Sequence, residues 1–260
     1  MPGNSERERH HEVLRLLEDT GRVQVPDLAE QFGVSVVTIR KDLETLERRR
    51  LLRRVRGGAI PAPTPDEGSF ELRLHHRTAE KIAIAREAAK LVRDGDAIAL
   101  DGSTACYYLA RELLARRGLV VVTNGLPAAE VLAESDATVV MPGGTLRRSS
   151  WSLVGDMGAT LAGRGRLAVG FFGLRSLSPD LGLLELSPEE TAVKRRLVSI
   201  SASVYGLFDS GKVGRFALHP FVETSAITGL ITDTGMPEDD VVAWKAAGVS
   251  VQRVTVEAGS

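Results

Sequence analysis

The sequence predicts an α/β protein in two parts, a small basic helical segment followed by a larger domain built on a parallel sheet. The 260 residues, 43% hydrophobic and 26% charged, have an ordinary globular composition that allows one or two domains. A proline-rich stretch over 57–69, GGAIPAPTPDEGS, cannot continue a helix and is typical of a spacer. After it, helical periodicity alternates with short β-branched runs, which indicates βαβ units. We therefore expect domains over 1–60 and 79–260, with a linker over 61–78.

Positive charge is concentrated near the start of the chain. Although the net charge of the whole chain is -1, residues 35–60 carry eight basic side chains against three acidic ones. Residues 61–260 hold 21 basic and 24 acidic groups. The basic segment is therefore the candidate for binding an anionic polymer.

Three short helices are predicted before residue 50. An apolar stripe over 13–17 marks the first, Pro26 opens the second and Gly33 ends it, and Ser35 caps the third. A short helix, a glycine turn and a capped basic helix together indicate a helix–turn–helix.

The third helix has one apolar face and one polar face. Its core face is predicted from the i, i+4, i+7 spacing of Ile39, Leu43 and Leu46. The opposite face enters the major groove of double-stranded DNA in such motifs, where Arg40 pairs with guanine and Val36 or Val37 contacts a thymine methyl group. We expect the other residues of this face to lie nearer the phosphates; they are Ser35, Thr38 and Lys41.

The segment after the third helix resembles a β-hairpin with a basic edge. Leu51 and Leu52 precede an arginine-rich run that ends at Gly57 and Gly58. A hairpin here makes the motif a winged helix, and its predicted DNA contacts are Arg53, Arg54 and Arg56. In the alternative interpretation the arginines are a solvated helix end and the helices form a protein-interaction module.

The residues over 34–59, VSVVTIRKDLETLERRRLLRRVRGGA, are similar to the helix–turn–helix signature of DeoR-type bacterial transcription regulators. Two positions differ from the usual pattern, because Arg50 stands in place of a turn glycine and Arg56 in place of a histidine. Both changes add positive charge to the wing.

The larger domain has predicted elements that alternate in type. They are helices over 80–92, 104–116, 127–134, 188–200 and 239–247, and strands over 97–101, 119–123, 139–141, 167–173, 203–209, 226–232 and 250–256. Polar loops follow several of these strands, and open α/β sheets bind ligands at the carboxyl ends of their strands.

Small hydroxyl, amide and glycine residues in these loops suit a phosphorylated sugar or a related metabolite. Backbone N–H groups converge where a strand gives way to a helix, as at 101–104, although serine and threonine are also common structural caps. Eight loop residues are predicted to contact the effector; they are Asp101, Gly102, Ser103, Thr104, Thr123, Asn124, Gly143 and Gly144. Arg147, Lys194 and Lys212 are the candidate phosphate partners. Glu190 completes the set, although it can instead cap its helix and pair with Lys194.

The resemblance to DeoR-type regulators extends into this domain through the segments VVTNGL, MPGGTLRRSSWSLVG and FDSGKVGR. It implies a Rossmann-like fold similar to that of ribose-5-phosphate isomerases, and a phosphorylated sugar that releases the protein from operator DNA. Four positions depart from the family pattern. Ala105 and Gly211 replace hydroxyl residues, and Ala168 and Ser178 stand where members often carry aspartate.

These departures also bear on catalysis, because a sugar-phosphate isomerase with an accessory head needs a general base that Ala168 and Ser178 do not supply. We therefore expect a regulator, in particular a repressor that acts as a dimer or tetramer, and no catalytic residue. No cofactor is expected. The pairs His10-His11 and His75-His76 lack a carboxylate at ligand spacing, so no metal site is predicted. A single cysteine and the lack of an apolar segment of about 18 residues predict a cytoplasmic protein without a membrane partner.

Overall fold

The chain forms two compact units, Met1–His76 and Arg77–Ser260. The structure is a computed structural model that describes residues 6–20, 22–48, 52–61, 68–156 and 166–256. Each unit has its own buried core. No helix among the described residues is both long and apolar enough to span a bilayer.

The first unit is a small helical domain with a three-stranded sheet. Its elements in chain order are α1 (Glu6–Thr20), β1 (Val23–Gln24), α2 (Val25–Phe32), α3 (Val36–Arg48), β2 (Leu52–Val55), β3 (Gly58–Pro61) and α4 (Phe70–His75). Strands β2 and β3 pair antiparallel as a hairpin, and β1 joins the outer side of β3. The predicted helices and the wing hairpin are therefore present, although Leu51 lies outside the described residues.

The apolar stripes of the three helices meet in one core. Ile39 on α3 is fully buried, and Leu43 and Leu46 are 1% exposed, as the spacing predicts. They pack with Val13 and Leu28 in the same cluster. Gly33 ends α2 with a φ of +63°, which glycine adopts without strain.

Helix α4 lies inside the stretch that we expected to be a linker. Ser69 caps it by accepting a hydrogen bond from the Leu72 backbone N–H, and Leu72 packs against the core of the first unit. The boundary between the units consequently falls after His76. The sequence obscured this helix because its six residues are too few to show a period. Residues 62–67 of the expected linker are outside the described part.

The second unit is built on a seven-stranded parallel sheet. Its elements in chain order are α5 (Thr78–Ala89), β4 (Ala97–Leu100), α6 (Thr104–Glu112), β5 (Val120–Thr123), α7 (Leu126–Leu132), β6 (Thr138–Val140), β7 (Thr145–Arg147), β8 (Ser152–Val154), β9 (Leu167–Phe172), β10 (Ser176–Ser178), β11 (Gly182–Glu185), α8 (Pro188–Ser199), β12 (Ser201–Leu207), β13 (His219–Val222), β14 (Gly229–Asp233), α9 (Glu238–Ala246) and β15 (Ser250–Val254). The order in the sheet is β15-β14-β12-β9-β4-β5-β6. The parallel sheet predicted from alternating elements is confirmed.

The direction of winding reverses between β4 and β9. From β4 the chain proceeds to β5 and β6 on one side, whereas from β9 it proceeds to β12, β14 and β15 on the other. In open α/β sheets, ligands bind at the carboxyl ends of the strands beside such a reversal, and we call this place the crevice. This reversal defines where a ligand of the second unit is expected.

Two antiparallel features were not predicted. Strands β7 and β8 form a hairpin, and β10, β11 and β13 form a separate small sheet. All five strands have only three or four residues, which is too few for an alternating pattern to be recognised.

Candidate functional site

Helix α3 presents a basic and apolar surface to solvent. Val36 and Val37 are 38% and 60% exposed, and Arg40 and Lys41 lie exposed one turn further along. Ser35 caps the helix, since its Oγ accepts the Thr38 backbone N–H at 3.0 Å and lies 2.9 Å from the Thr38 hydroxyl. These predicted DNA-contacting residues therefore share one exposed face.

A buried ion cluster holds α3 against α1. The Asp42 carboxylate, 4% exposed, accepts two hydrogen bonds from Arg9, at 2.6 and 3.1 Å, and lies 3.0 Å from His10 Nε2. The hydrogen bond to Asp42 raises the pKa of the Arg9 guanidinium, although burial opposes this. Glu6, which is exposed, places a second carboxylate near His10. This differs from the prediction that no carboxylate lies at ligand spacing from this histidine. Because Arg9 already occupies Asp42 on both oxygens, we assign the cluster to fixing the recognition helix rather than to a metal.

The wing extends the basic surface. Arg53 and Arg54 on β2 and Arg56 in the turn are all exposed. Glu47 near the end of α3 accepts the Arg54 backbone N–H at 2.8 Å, which ties the wing to the helix. Gly57 follows in the turn with a φ of +84°. This hydrogen bond links the first strand of the wing to the end of α3.

In the second unit, the loop after β4 ends at the start of α6. Ser103 caps this helix by accepting the Cys106 backbone N–H at 3.2 Å. The backbone N–H groups of Thr104 and Ala105 lie in the first turn of this helix, where they have no acceptor within the helix. Donors of this kind together with the helix dipole attract an anion. Thr104 itself is 5% exposed.

Asp101 joins the loops on the two sides of the crevice. Its carboxylate accepts the Ser103 backbone N–H at 3.0 Å and the Gly173 backbone N–H, in the loop after β9, at 2.9 Å. The loops approach so closely that a Cβ on Gly173 would lie 2.4 Å from Ser103 Cβ. Asp101 is fully buried, and so it needs a neutralising partner.

Lys194 on α8 supplies that partner. Its Nζ lies 3.0 Å from Asp101 Oδ2, donates to the Gly173 carbonyl at 2.8 Å and pairs closely with Glu185. Burial alone lowers the pKa of this ammonium, but the charges of Asp101 and Glu185 outweigh burial and raise it. All three donors are thus used inside the protein. This corrects the expectation that Lys194 contacts a phosphate directly.

The loop after β5 lies beside the same crevice. Asn124 is fully buried, and its Nδ2 donates to the Leu153 carbonyl at 3.1 Å, whereas its Oδ1 has no partner among the described residues. Asn124 Nδ2 is 3.6 Å from the position of a Cβ on Gly102. Thr123 is engaged in the protein, because its Oγ1 accepts the Gly125 backbone N–H. Asn124 is therefore the residue of this loop with hydrogen-bonding capacity to spare.

The β7–β8 hairpin brings a third group of polar residues to this edge. Glu190 Oε1 accepts hydrogen bonds from Ser150 at 2.7 Å and Ser152 at 2.5 Å, and it lies 4.0 Å from Arg147. A Cβ on Gly102 would lie 2.7 Å from Ser152 Cβ, so the hairpin touches the loop after β4. Glu190 binds these serines rather than pairing with Lys194 as the sequence suggested.

Two other predictions near the hairpin have structural explanations. Gly143 and Gly144 precede β7 with φ values of +85° and +113°, and a Cβ on Gly144 would lie 2.5 Å from the Val154 carbonyl oxygen. These glycines are needed for the turn, and both are exposed. At the start of α8 the cap is Ser187, whose Oγ accepts the Glu190 backbone N–H.

Lys212 lies on a different loop. This loop, 209–212, follows β12, which is separated from β4 by β9, so two strand spacings of about 5 Å lie between them. The backbone N–H groups of Ser210 and Gly211 donate to the carboxylates of Asp233 and Asp209. Contacts from this loop to a ligand therefore depend on side chains, mainly those of Ser210 and Lys212.

The predicted residues thus form one group at the strand reversal and one outlying loop. Asp101, Gly102, Ser103, Thr104 and Asn124 lie together, with Arg147 and Glu190 alongside. The sequence analysis missed three residues that complete the group: Ser150, Ser152 and Glu185. The first two are in the quoted segment MPGGTLRRSSWSLVG, but only the hairpin shows that they face Glu190.

These features define a class of protein: a winged helix–turn–helix unit with an exposed basic surface, followed by a Rossmann-like α/β unit with polar side chains gathered at its strand reversal. The fold predicted from the sequence is confirmed in both parts.

Family models identify the class more closely. Residues 9–63 match the DeoR-like helix-turn-helix domain, and residues 76–234 match the DeoR C terminal sensor domain. The chain belongs to the DeoR family of DNA-binding transcriptional regulators.

Full-length relatives agree with this membership. The HTH-type transcriptional regulator GolR of Listeria innocua is 31% identical over 247 residues, which cover 94% of this chain and 97% of the relative. The glycerol-3-phosphate regulon repressor of Escherichia coli K12 is 30% identical over 231 residues, 88% of this chain and 92% of the relative. Among solved structures, ribose 5-phosphate isomerase A from Methanocaldococcus jannaschii is 16% identical with a TM-score of 0.39, covering 51% of this chain and 53% of that one.

Proposed function

We propose that this protein is a transcriptional repressor that binds operator DNA through α3 and the wing and releases it when a phosphorylated sugar or related metabolite binds the second unit. The observation that carries the proposal is the pairing of two sites on one chain. One is an exposed basic helix with a basic hairpin, and the other is a polar crevice with an anion-attracting helix start.

The DNA contacts follow from the exposure of α3. Arg40 has the planar pair of donors that matches guanine O6 and N7, and the exposed Val36 and Val37 provide apolar contacts to thymine methyl groups. Lys41, Arg53 and Arg56 carry the phosphate contacts, which fix the position of the protein without reading sequence.

The ligand lies across the carboxyl ends of the strands. Its phosphate is held at the start of α6 by the Thr104 and Ala105 backbone N–H groups and the Ser103 hydroxyl. Its hydroxyl groups donate to Asn124 Oδ1, which is buried and receives no hydrogen bond from the part of the chain that the structure describes. The far end of the ligand reaches Ser210 and Lys212 of the loop after β12, about two strand spacings away.

We further propose that the protein acts as a homodimer or a tetramer. Winged helix–turn–helix proteins that read two-fold operators place two recognition helices about one turn of DNA apart. A two-fold assembly supplies the second helix, and a cytoplasmic location gives access to the chromosome.

The alternative function, isomerisation of a sugar phosphate, receives less support from the crevice. A general base must be free to take a proton. Asp101 instead binds two backbone N–H groups and Lys194, and Glu185 also pairs with Lys194. Ala168 and Ser178 offer no carboxylate. Turnover of ribose 5-phosphate by the purified protein would contradict this reasoning.

A thermal-shift panel with the full chain tests the ligand site. Ribose 5-phosphate and glycerol 3-phosphate are compared with ribose, glycerol and inorganic phosphate. We expect at least one phosphorylated compound to raise the melting temperature, because a ligand that binds only the folded state stabilises it. Its unphosphorylated counterpart is expected to give no shift.

Three variants locate the site. Ser103→Ala and Lys212→Ala are expected to abolish the shift. Ser69→Ala is the matched control, because Ser69 also caps a helix through one backbone N–H but lies in the first unit. If the shift persists in both Ser103→Ala and Lys212→Ala, the ligand binds elsewhere.

A further inference from the structure

The polypeptide enters the second unit at a residue with an unusual backbone conformation. Arg77 has φ +48° and ψ +49°, in the left-handed region. Residues other than glycine, asparagine and aspartate rarely adopt this conformation, and they keep it only where their surroundings hold it. Arg77 is also the N-cap residue of α5, yet its side chain makes no capping hydrogen bond. The contacts that hold Arg77 must therefore come from elsewhere in the unit.

Those contacts come from the loop 209–212. Arg77 Nη1 donates to Ser210 Oγ at 3.0 Å, and Arg77 Nε lies 3.7 Å from Asp209 Oδ1. Asp209 is 3% exposed, and the nearby Arg77 guanidinium offsets part of the charge of this buried carboxylate. A more distant contact of 4.0 Å joins Arg77 to Glu80 on α5. The side chain thus links the start of the unit to a loop 133 residues later.

Gly211 makes room for this link. A Cβ at Gly211 would lie 3.3 Å from both Cζ and Nε of Arg77, and 2.9 Å from Asp209 Oδ1. The guanidinium therefore packs directly over the glycine. Gly211 is one of the positions where this sequence departs from the DeoR-type pattern, which usually has serine there. A side chain at this position would press on Asp209 Oδ1 and on the Arg77 guanidinium, so both have to shift slightly to accommodate it.

We propose that Arg77 is a positioning residue that couples the loop 209–212 to the chain segment entering the second unit. This inference rests on the proposed function, in which the same loop contacts the ligand. A serine hydroxyl can donate to a ligand while it accepts from Arg77, so the coupling requires the ligand to turn the Ser210 side chain toward itself and away from Arg77 Nη1. Arg77 then loses a contact that holds its left-handed backbone. A change of φ and ψ at residue 77 redirects the residues before it, which lead to the DNA-binding unit.

Two variants break the link from opposite ends. Arg77→Asn removes the guanidinium but keeps a residue that tolerates the left-handed backbone. Gly211→Ala adds a methyl group at the site of closest approach, and the backbone accepts it because Gly211 does not have a positive φ. Arg86→Ala is the control, since Arg86 is an exposed arginine of the same helix that pairs with Glu112 instead.

Hydrogen–deuterium exchange of the full-length protein without ligand tests the link itself. Peptides covering 70–80 and 205–215 are compared in wild type and the three variants. We expect Arg77→Asn and Gly211→Ala each to raise exchange several-fold in both peptides, and Arg86→Ala to change neither. Unchanged exchange at 205–215 in Arg77→Asn, or at 70–80 in Gly211→Ala, would overturn the proposal.

Measurements of operator binding test whether Arg77 carries the effect of the ligand to the DNA-binding unit. The affinity for DNA from upstream of the gene is measured with and without ribose 5-phosphate and glycerol 3-phosphate, with inorganic phosphate as a probe too short to reach the loop. We expect Arg77→Asn to bind DNA like wild type but to lose the response to the phosphorylated compounds. A full response in Arg77→Asn would refute the coupling while leaving the proposed function intact. If wild type responds to neither compound, the proposed function fails, and the exchange measurement still decides whether the link exists.

Discussion

Replacing single arginines in the first unit separates phosphate contacts from base contacts. Arg53 on β2 and Arg40 on α3 are both exposed, and neither substitution removes packing from the core. We expect Arg53→Ala to weaken binding to all DNA sequences and to reduce the salt dependence. We expect Arg40→Ala to weaken binding mainly to the operator, because only a base contact distinguishes sequences.

The expected salt dependence of DNA binding follows from the number of exposed cations that contact phosphates. Five described cations are predicted to contact DNA. Arg40 is assigned to a base and Arg54 is held near Glu47, which leaves Lys41, Arg53 and Arg56 of each head for phosphates. A dimer then makes about six phosphate contacts, which gives a slope of log K against log salt of about -5 and a loss of roughly 1,000-fold between 50 and 200 mM salt. Arg53→Ala removes two contacts per dimer and lowers the slope by about 2. Arg40→Ala costs about 1–3 kcal/mol per base contact on the operator.

Fluorescence anisotropy with labelled upstream DNA and a scrambled duplex, over 50–300 mM salt, measures both quantities. Arg86→Ala in the second unit makes the same change of charge and serves as the control. These assignments are refuted if Arg53→Ala leaves the salt slope unchanged, or if Arg40→Ala weakens binding to the scrambled duplex as much as binding to the operator.

Three further predictions concern buried polar groups. Asp42→Ala removes the carboxylate that accepts two hydrogen bonds from the buried Arg9 and is expected to destabilise the first unit by about 3–5 kcal/mol. Chemical denaturation monitored by hydrogen exchange of α1 and α3 will detect this loss, and a normal midpoint would show that the cluster is dispensable. Lys194→Met removes the ammonium that pairs with the buried Asp101 and Glu185, so the second unit is expected to lose a similar amount of stability, whereas an unchanged melting temperature would contradict the assignment. Burial, followed by the charge of Asp101, raises the pKa of the Cys106 thiol, so the folded protein stays unreactive to a thiol reagent at pH 8.5, where the unfolded chain is half ionised and reacts. Rapid labelling of the folded protein would contradict this.

Local patterns were sufficient to predict the first three helices and the wing of the first unit, although not α4. The cap at Ser35, the turn at Gly33 and the spacing of Ile39, Leu43 and Leu46 each depend on residues within a few positions of one another. The ion cluster was not predictable, because Arg9 and Asp42 are separated by 33 positions and only the packing of two helices brings them together.

The second unit shows the same limit more clearly. Alternating elements predicted the parallel sheet, and the position of 101–104 at a strand end predicted the crevice. The roles of charged residues were not predictable, because they depend on long-range contacts. The sequence predicted that Lys194 contacts a phosphate, but its ammonium instead pairs with Glu185 and Asp101. Arg77 gave no signal at all, since its contact with Ser210 spans 133 positions.

The central claim is that ligand binding in the second unit changes the DNA affinity of the first. The most direct measurement is the dissociation constant of the full-length protein for its upstream DNA, with and without a saturating amount of the compound that gives the largest thermal shift. The account predicts about 5- to 150-fold weaker binding in the presence of that compound, which is the usual range of coupling between two sites. Equal dissociation constants in both conditions would contradict it.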